Sequence, residues 1–174
     1  MTAGPAGSTP AAPARPGLRW VCADPGRLIA FGFGSGLLRP GPGTWGTLLA
    51  WGLWRLSASV APDWAIGVFL ALAWAYGCWA CHRVGRELGR PDHGGMVWDE
   101  MVAFWLVLWL APATLAGQAA AFLLFRLFDI TKPPPIRAFD ARLKHGFGVM
   151  WDDLLAAGYT LLALALAVRL GAPL

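Results

Sequence analysis

Four apolar stretches run through the chain, separated by short polar segments rich in glycine and proline. The first extends from Thr44 to Ala61 and is broken by Gly46, Gly52 and Arg55. The second, Trp64 to Cys81, has 18 residues and no charge, about the length a membrane-crossing helix requires. Pro62 and Asp63 form the turn between them, which predicts a helical hairpin. The third, Met101 to Phe128, is interrupted by Pro112, Gly117 and Gln118 and carries Arg126 near its end; the fourth runs from Leu154 to Val168 and stops at Arg169. No apolar–polar alternation of period two persists, so the pattern predicts an all-α fold, a multi-pass helical membrane bundle. The third stretch has 28 residues, roughly 42 Å of continuous helix, whereas two full crossings need about 40 residues. It is either a short hairpin or one long span. The interruptions at Pro112 and Gly117, and the basic segment after Asp129, favour a hairpin turning at Gly117–Gln118.

Composition sharpens this reading. Of the residues 57% are hydrophobic and only 14% charged, eleven are tryptophan, and the mean hydropathy is +0.52. Membrane-interface belts are one ordinary use for so much tryptophan. The net charge of +4 is modest and its basic residues fall in short segments, which suits anionic lipid headgroups; no basic stripe interleaved with aromatics points to nucleic acid. Residues 1–19 are rich in Pro, Ala and Gly, lack a signal-peptide core and are predicted to be a disordered tail, leaving 20–174 as one helical domain. Cys78 and Cys81 have CxxC spacing without a second pair, and with Cys22 they read as small hydrophobes rather than as a zinc or disulfide site.

The acids are the exception to the apolar pattern. Five of the ten, Asp99, Glu100, Asp129, Asp152 and Asp153, lie in or beside apolar stretches. A carboxylate in an apolar setting is costly unless it is protonated, paired or metal-bound. Their recurrence predicts one assembled site holding a hard divalent cation such as Mg²⁺; the alternative is that each acid pairs separately with a nearby Arg or Lys. Basic residues precede the first stretch, follow the second (Arg83, Arg86, Arg90) and follow the third (Lys132, Arg137, Arg142, Lys144), whereas the intervening turns carry none. The positive-inside rule puts these segments, and with them all five acids, on the cytoplasmic side.

Other residues surround this chemistry. Gly32, Gly34 and Gly36 alternate ahead of an apolar helix for which Thr44 is a good N-cap. Such a loop exposes backbone N–H groups to a phosphate, or serves close helix packing in a membrane. His93 stands just before a helix expected to begin near Met96; Lys132 follows Asp129 by three residues and precedes a proline run, where it either neutralises Asp129 or holds a substrate phosphate.

The segments GFGSG with Pro42, Gly43, Thr44 and Gly46, then Asp92 to Glu100, Phe125 to Ile136 and His145 to Asp153, together resemble the bacterial phosphatidylglycerophosphatase A family over residues 28 to 165. Thr47, Pro134 and Phe147 depart from that family's usual residues without touching an acid or Lys132. The resemblance implies a Mg²⁺-dependent enzyme of the inner membrane that hydrolyses phosphatidylglycerophosphate to phosphatidylglycerol and inorganic phosphate. On this reading Asp99, Glu100, Asp129, Asp152 and Asp153 are the metal ligands; Asp99, Glu100, Asp129 and Asp153 carry catalysis; and Lys132, Arg126, Arg137, Gly34, Thr44 and His93 hold the substrate phosphate. The inventory lacks the Cys-x₅-Arg loop and the strand-borne DxD of other phosphatases. A small transporter or ion-pathway protein using intramembrane carboxylates is the rival class, but no inverted repeat is visible. Lipid headgroup transfer would need a denser aspartate array on two adjacent helices. The sequence sets no oligomeric state.

Overall fold

The computed structural model describes residues 16–57, 61–134, 136–137 and 145–174, and every regular element among them is helical. Two short helices, α1 (Leu18–Cys22) and α2 (Pro25–Ala30), lead through a 3-10 segment (Gly32–Leu37) into α3 (Pro42–Ser57), α4 (Asp63–Glu87), α5 (Trp98–Leu110), α6 (Leu115–Thr131) and α7 (Gly146–Arg169). Most of the expected tail lies outside the described residues, but α1 begins at Leu18, inside the stretch assigned to it.

α5 is the central element and packs against α3, α4, α6 and α7. Its sequence is apolar on every side, and Met101, Phe104 and Val107 are fully buried, as a helix without a polar face requires. Tryptophan N–H groups tie it to its neighbours: Trp98 donates to the Ala73 carbonyl of α4 (3.0 Å) and Trp105 to the Ala50 carbonyl of α3 (2.8 Å). These two tryptophans are therefore core struts rather than belt residues, whereas Trp45, Trp64 and Trp79 do face outward.

The third apolar stretch is a hairpin, but its turn is at Ala111–Thr114 rather than at Gly117–Gln118. Thr114 caps α6 by accepting from the Gly117 N–H (2.9 Å), so Gly117 and Gln118 lie inside the helix. Asp63 accepts from Trp109, placing the start of α4 beside the end of α5, and a Cβ on Gly146 would meet the Cys78 carbonyl, placing the start of α7 beside the end of α4. Consequently the N-termini of α3, α5 and α7 and the C-termini of α4 and α6 share one end of the bundle.

Among the described residues, α4 (25 residues) and α7 (24 residues) are the helices long and apolar enough to cross a membrane; each is roughly 36 Å long. The core helix of a soluble protein would be mostly buried, but the apolar windows of α4 and α7 are 28% and 44% buried. Outward-facing Trp64, Val68 and Leu72 on α4, Leu123, Leu127 and Ile130 on α6, and Leu162 and Leu166 on α7 form apolar stripes. Stripes of that extent mark a membrane-associated surface.

Candidate active site

Helix ends bring the acids together. Asp99 and Glu100 occupy the first turn of α5, Asp129 the last turn of α6, and Asp152 and Asp153 the second turn of α7. α5 begins at Trp98, two residues later than the sequence suggests, because residues 93–96 form a turn in which Met96 N–H donates to the His93 carbonyl (2.7 Å). The glycine-rich loop fixes this turn by close packing. A Cβ on Gly36 would lie 1.9 Å from the Gly95 carbonyl oxygen, and one on Gly43 would lie 1.9 Å from Glu100 Oε1. The absence of side chains at these positions is what lets α3 approach the start of α5.

All five acids, with Asp92 at the rim and Lys132, line one cavity of about 90 Å³. That is room for a few waters, hence for a partly hydrated cation or a phosphoryl group but not for a lipid headgroup. Asp99, Asp129, Asp152 and Asp153 are each less than 10% exposed. Taking one carboxylate out of water costs several kcal/mol even after relaxation, so six acids around one hollow require compensation. Two cations supply part of it. Arg126 Nη1 reaches Asp129 Oδ2 at 2.8 Å and Glu100 Oε1 at 3.1 Å, and Lys132 Nζ reaches Asp152 Oδ2 at 2.5 Å. Among the described residues the acids still outnumber the cations here, and Glu100 Oε2 and Asp153 Oδ2 are buried and have no hydrogen-bond partner.

Those unpartnered oxygens test whether a metal fits. Among the described residues the cavity offers carboxylate oxygens and no His or Cys, a donor set that suits Mg²⁺ and not zinc. Among the described residues no three side chains stand in ligand geometry, because Glu100 and Asp129 turn toward Arg126 and Asp152 toward Lys132. The residues fit a hard divalent cation in chemistry and charge, with those cations sharing the carboxylates.

Lys132 ends α6 in the left-handed backbone region (φ 41°). For a residue with a side chain this costs on the order of 1–2 kcal/mol, a strain that turns the chain sharply before Pro133.

The other expected phosphate contacts separate. Gly34 and Thr44 do not line the acidic cavity. Thr44 is not an N-cap either: α3 starts at Pro42, whose ring suits the first helical position, and Thr44 lies within the first turn. Arg137 is exposed and away from the cavity lining. His93 is half-buried, accepts from Gly95 N–H at Nδ1 (3.1 Å), packs on Phe31 and faces a different hollow.

One residue was visible only as a departure from a family pattern. Thr47 is fully buried, donates to the Gly43 carbonyl (2.8 Å) and accepts from Arg126 Nη1 (3.4 Å). It stands four residues after Gly43, one turn along the same face of α3, which is the signal that could have found it.

The family model for phosphatidylglycerophosphatase A matches residues 28–168. A phosphatidylglycerophosphatase A from Haemophilus influenzae is 46% identical over 141 residues, 80% of this chain and 86% of that protein. Its Escherichia coli K12 counterpart is 38% identical over 139 residues, 79% of this chain and 80% of that protein. A Bacteroides thetaiotaomicron protein provisionally named phosphatidylinositol-3-phosphatase is 37% identical over 147 residues, 80% of this chain and 91% of its own length. No solved structure matches the chain.

Proposed function

The chain belongs to the phosphatidylglycerophosphatase A family, and from that premise we propose a magnesium-dependent mechanism at the membrane surface. The protein is a phosphoric monoester hydrolase that converts phosphatidylglycerophosphate to phosphatidylglycerol and inorganic phosphate. The observation that carries the mechanistic reading is the 90 Å³ cavity in which six carboxylates meet Lys132, beside Arg126, at one end of the bundle.

Asp99, Glu100, Asp129, Asp152 and Asp153 are the oxygens that would hold Mg²⁺. The ion, when bound, offsets negative charge on the phosphoryl oxygens and on the leaving alkoxide. The chain's own groups do the rest. Lys132, at the tip of α6, donates its ammonium protons to a phosphoryl oxygen as a compact charge. Arg126 is steered by Thr47, and its buried Nε–H has no protein partner; it is a second donor to the phosphoryl group. Water attacks phosphorus in line with the ester oxygen; the P–O bond to the glycerol breaks, and that oxygen takes a proton as phosphatidylglycerol leaves. Glu100 Oε2 or Asp153 Oδ2, the oxygens without a partner, would accept the proton that water loses.

The same reading sets location: a multi-pass protein of the bacterial inner membrane with its site toward the cytoplasm. Support comes from charge. Arg27, Arg39, Arg83, Arg86, Arg90, Lys132 and Arg137 lie at the site end of the bundle, against Arg55 and Arg169 at the other. An apolar cavity of about 510 Å³ has a lining that runs from Ala61 and Ile66, toward the far end of the bundle, to Phe33 and Trp98, the neighbour of Asp99 in sequence, a suitable bed for the glycerolipid beneath its headgroup.

The test is phosphate release from phosphatidylglycerophosphate by the purified full chain in detergent, with added Mg²⁺ and with chelator. Release that stops on chelation and returns with Mg²⁺ is expected. Undiminished release in chelator would remove the metal from the mechanism.

A further inference from the structure

The loop joining α4 to α5 has two hollows, one on each side. Asp92, Gly94 and Met96 line the acidic cavity. His93, between them, lines a separate cavity of about 510 Å³ together with Arg39 and Arg90. The two hollows are opposite in charge. The first collects six acids; among the described residues the second has no carboxylate in its lining.

The arginines there are not held by an acid, as Arg19, Arg55, Arg86, Arg137 and Arg169 are not elsewhere among the described residues. Arg27, Arg83, Arg126 and Lys132 all have carboxylate partners, whereas among the described residues Arg39 and Arg90 have none. Two like charges facing one hollow repel, and an anion between them reverses that cost. Guanidinium groups present paired N–H donors matched to phosphate oxygens. His93 adds a donor: its Nδ1 accepts from Gly95, so the neutral ring carries its proton on Nε2. Burial, then Arg90 and Arg39, push its pKa down, as expected of a ring that shares the cavity with both arginines.

This inference rests on the lipid substrate assigned above. That lipid has two phosphates: the terminal monoester that reacts, and a diester, one glycerol away, that does not. We propose that the Arg39–Arg90–His93 cavity is a second phosphate site, which binds the unreactive phosphodiester while the monoester enters the acidic cavity across the loop. The volumes agree with this division. The acidic cavity admits little more than a phosphoryl group, while the basic one is more than five times larger and holds a diester with its flanking carbons. Binding energy from the remote phosphate then aligns the reacting one, and the cavity selects lipids bearing a phosphodiester over phosphatidic acid, which has a monoester alone.

The test uses the double variant Arg39→Gln/Arg90→Gln of the full chain in mixed micelles, with Arg39→Lys/Arg90→Lys as the charge-retaining control. KM for phosphatidylglycerophosphate should rise by about tenfold or more, and the lysine pair should recover part of it. Inhibition by phosphatidylglycerol, which carries only the diester, should weaken in step. Inhibition by phosphatidic acid and by inorganic phosphate should not change. An unaltered KM, or equal weakening toward all three inhibitors, overturns the proposal. Relief of inorganic phosphate inhibition alone would make free phosphate the ligand and overturn the lipid assignment. A wild type that releases no phosphate from phosphatidylglycerophosphate would instead defeat the substrate reading, whatever the variants do.

Discussion

Two clusters of charge lie at the same end of the bundle and obey opposite rules. Where α2 meets the end of α4, two acids face two arginines: Asp24 accepts from Arg83 (2.8 Å), and Glu87 accepts from Arg27 (2.8 Å) and Arg83 (3.0 Å). These side chains are partly exposed, charge is balanced, and Asp24 also caps α2 by accepting from Arg27 N–H. In the cavity, among the described residues, six acids meet Lys132 and Arg126, four of the acids are buried, and two carboxylate oxygens have no partner. The first arrangement closes its own accounts and holds the short N-terminal helices on the bundle. The second leaves buried oxygens without a partner, and it is the one to which the proposed function gives the metal and the chemistry.

Neutralising single acids breaks the comparison most sharply. Asp129→Asn or Asp153→Asn keeps the shape but removes charge from a site with too much of it. Activity should fall by at least about 10²-fold, the cost of losing one electrostatic element of a reaction site, while thermal stability stays level or rises. In the balanced cluster, Arg83→Gln should leave activity within about threefold and cost on the order of 1 kcal/mol of stability, as exposed pairs do. Kinetics beside thermal unfolding for each variant decides. Active but destabilised Asn variants would make the cavity a set of structural ion pairs, whose rupture costs about 3–5 kcal/mol.

Thr47 sharpens the contrast at smaller scale. It touches Arg126 through one long hydrogen bond of 3.4 Å and fills buried space with its methyl. Thr47→Ser keeps the hydroxyl and should retain nearly full kcat. Thr47→Val keeps the volume, frees Arg126 to reorient and should lower kcat by about tenfold, the weight of one net hydrogen bond to a charged group. Equal kcat in both variants would reduce Thr47 to packing.

The sequence made the acidic site legible because the bilayer and the core are unforgiving to carboxylates: Asp99, Glu100, Asp129, Asp152 and Asp153 stood out against apolar neighbours and do line one cavity. Lys132 and Arg126 were legible for the same reason. The glycine loop was not, since Gly34 and Gly36 suit a phosphate cradle and backbone packing equally, and only the 1.9 Å approach of a Gly36 Cβ to the Gly95 carbonyl selects packing. That His93 lines a separate hollow was not legible, because neighbours in a turn face opposite sides, which spacing alone does not reveal. The α5–α6 turn slipped from Gly117 to Thr114 because a capping threonine outweighs a glycine at a helix start.

The smallest effect concerns acid stability of the balanced cluster. The Arg83 guanidinium holds the Asp24 carboxyl below its ordinary range, with help from the Arg27 N–H and against the opposing effect of burial. Because the folded state prefers the ionised form, this contribution is fully present above the unfolded-chain pKa of about 3.9. It fades as pH falls through the lower folded value. Thermal unfolding of the wild type and of Asp24→Asn, followed from pH 7 to pH 2, isolates this contribution from the acids of the cavity, which both proteins share. The gap between them should be constant down to about pH 5, amount to about 1 kcal/mol or less, and close below pH 4. A gap that widened on acidification would reverse the sign of the linkage and remove Asp24 as an ionised anchor of α2 and α4.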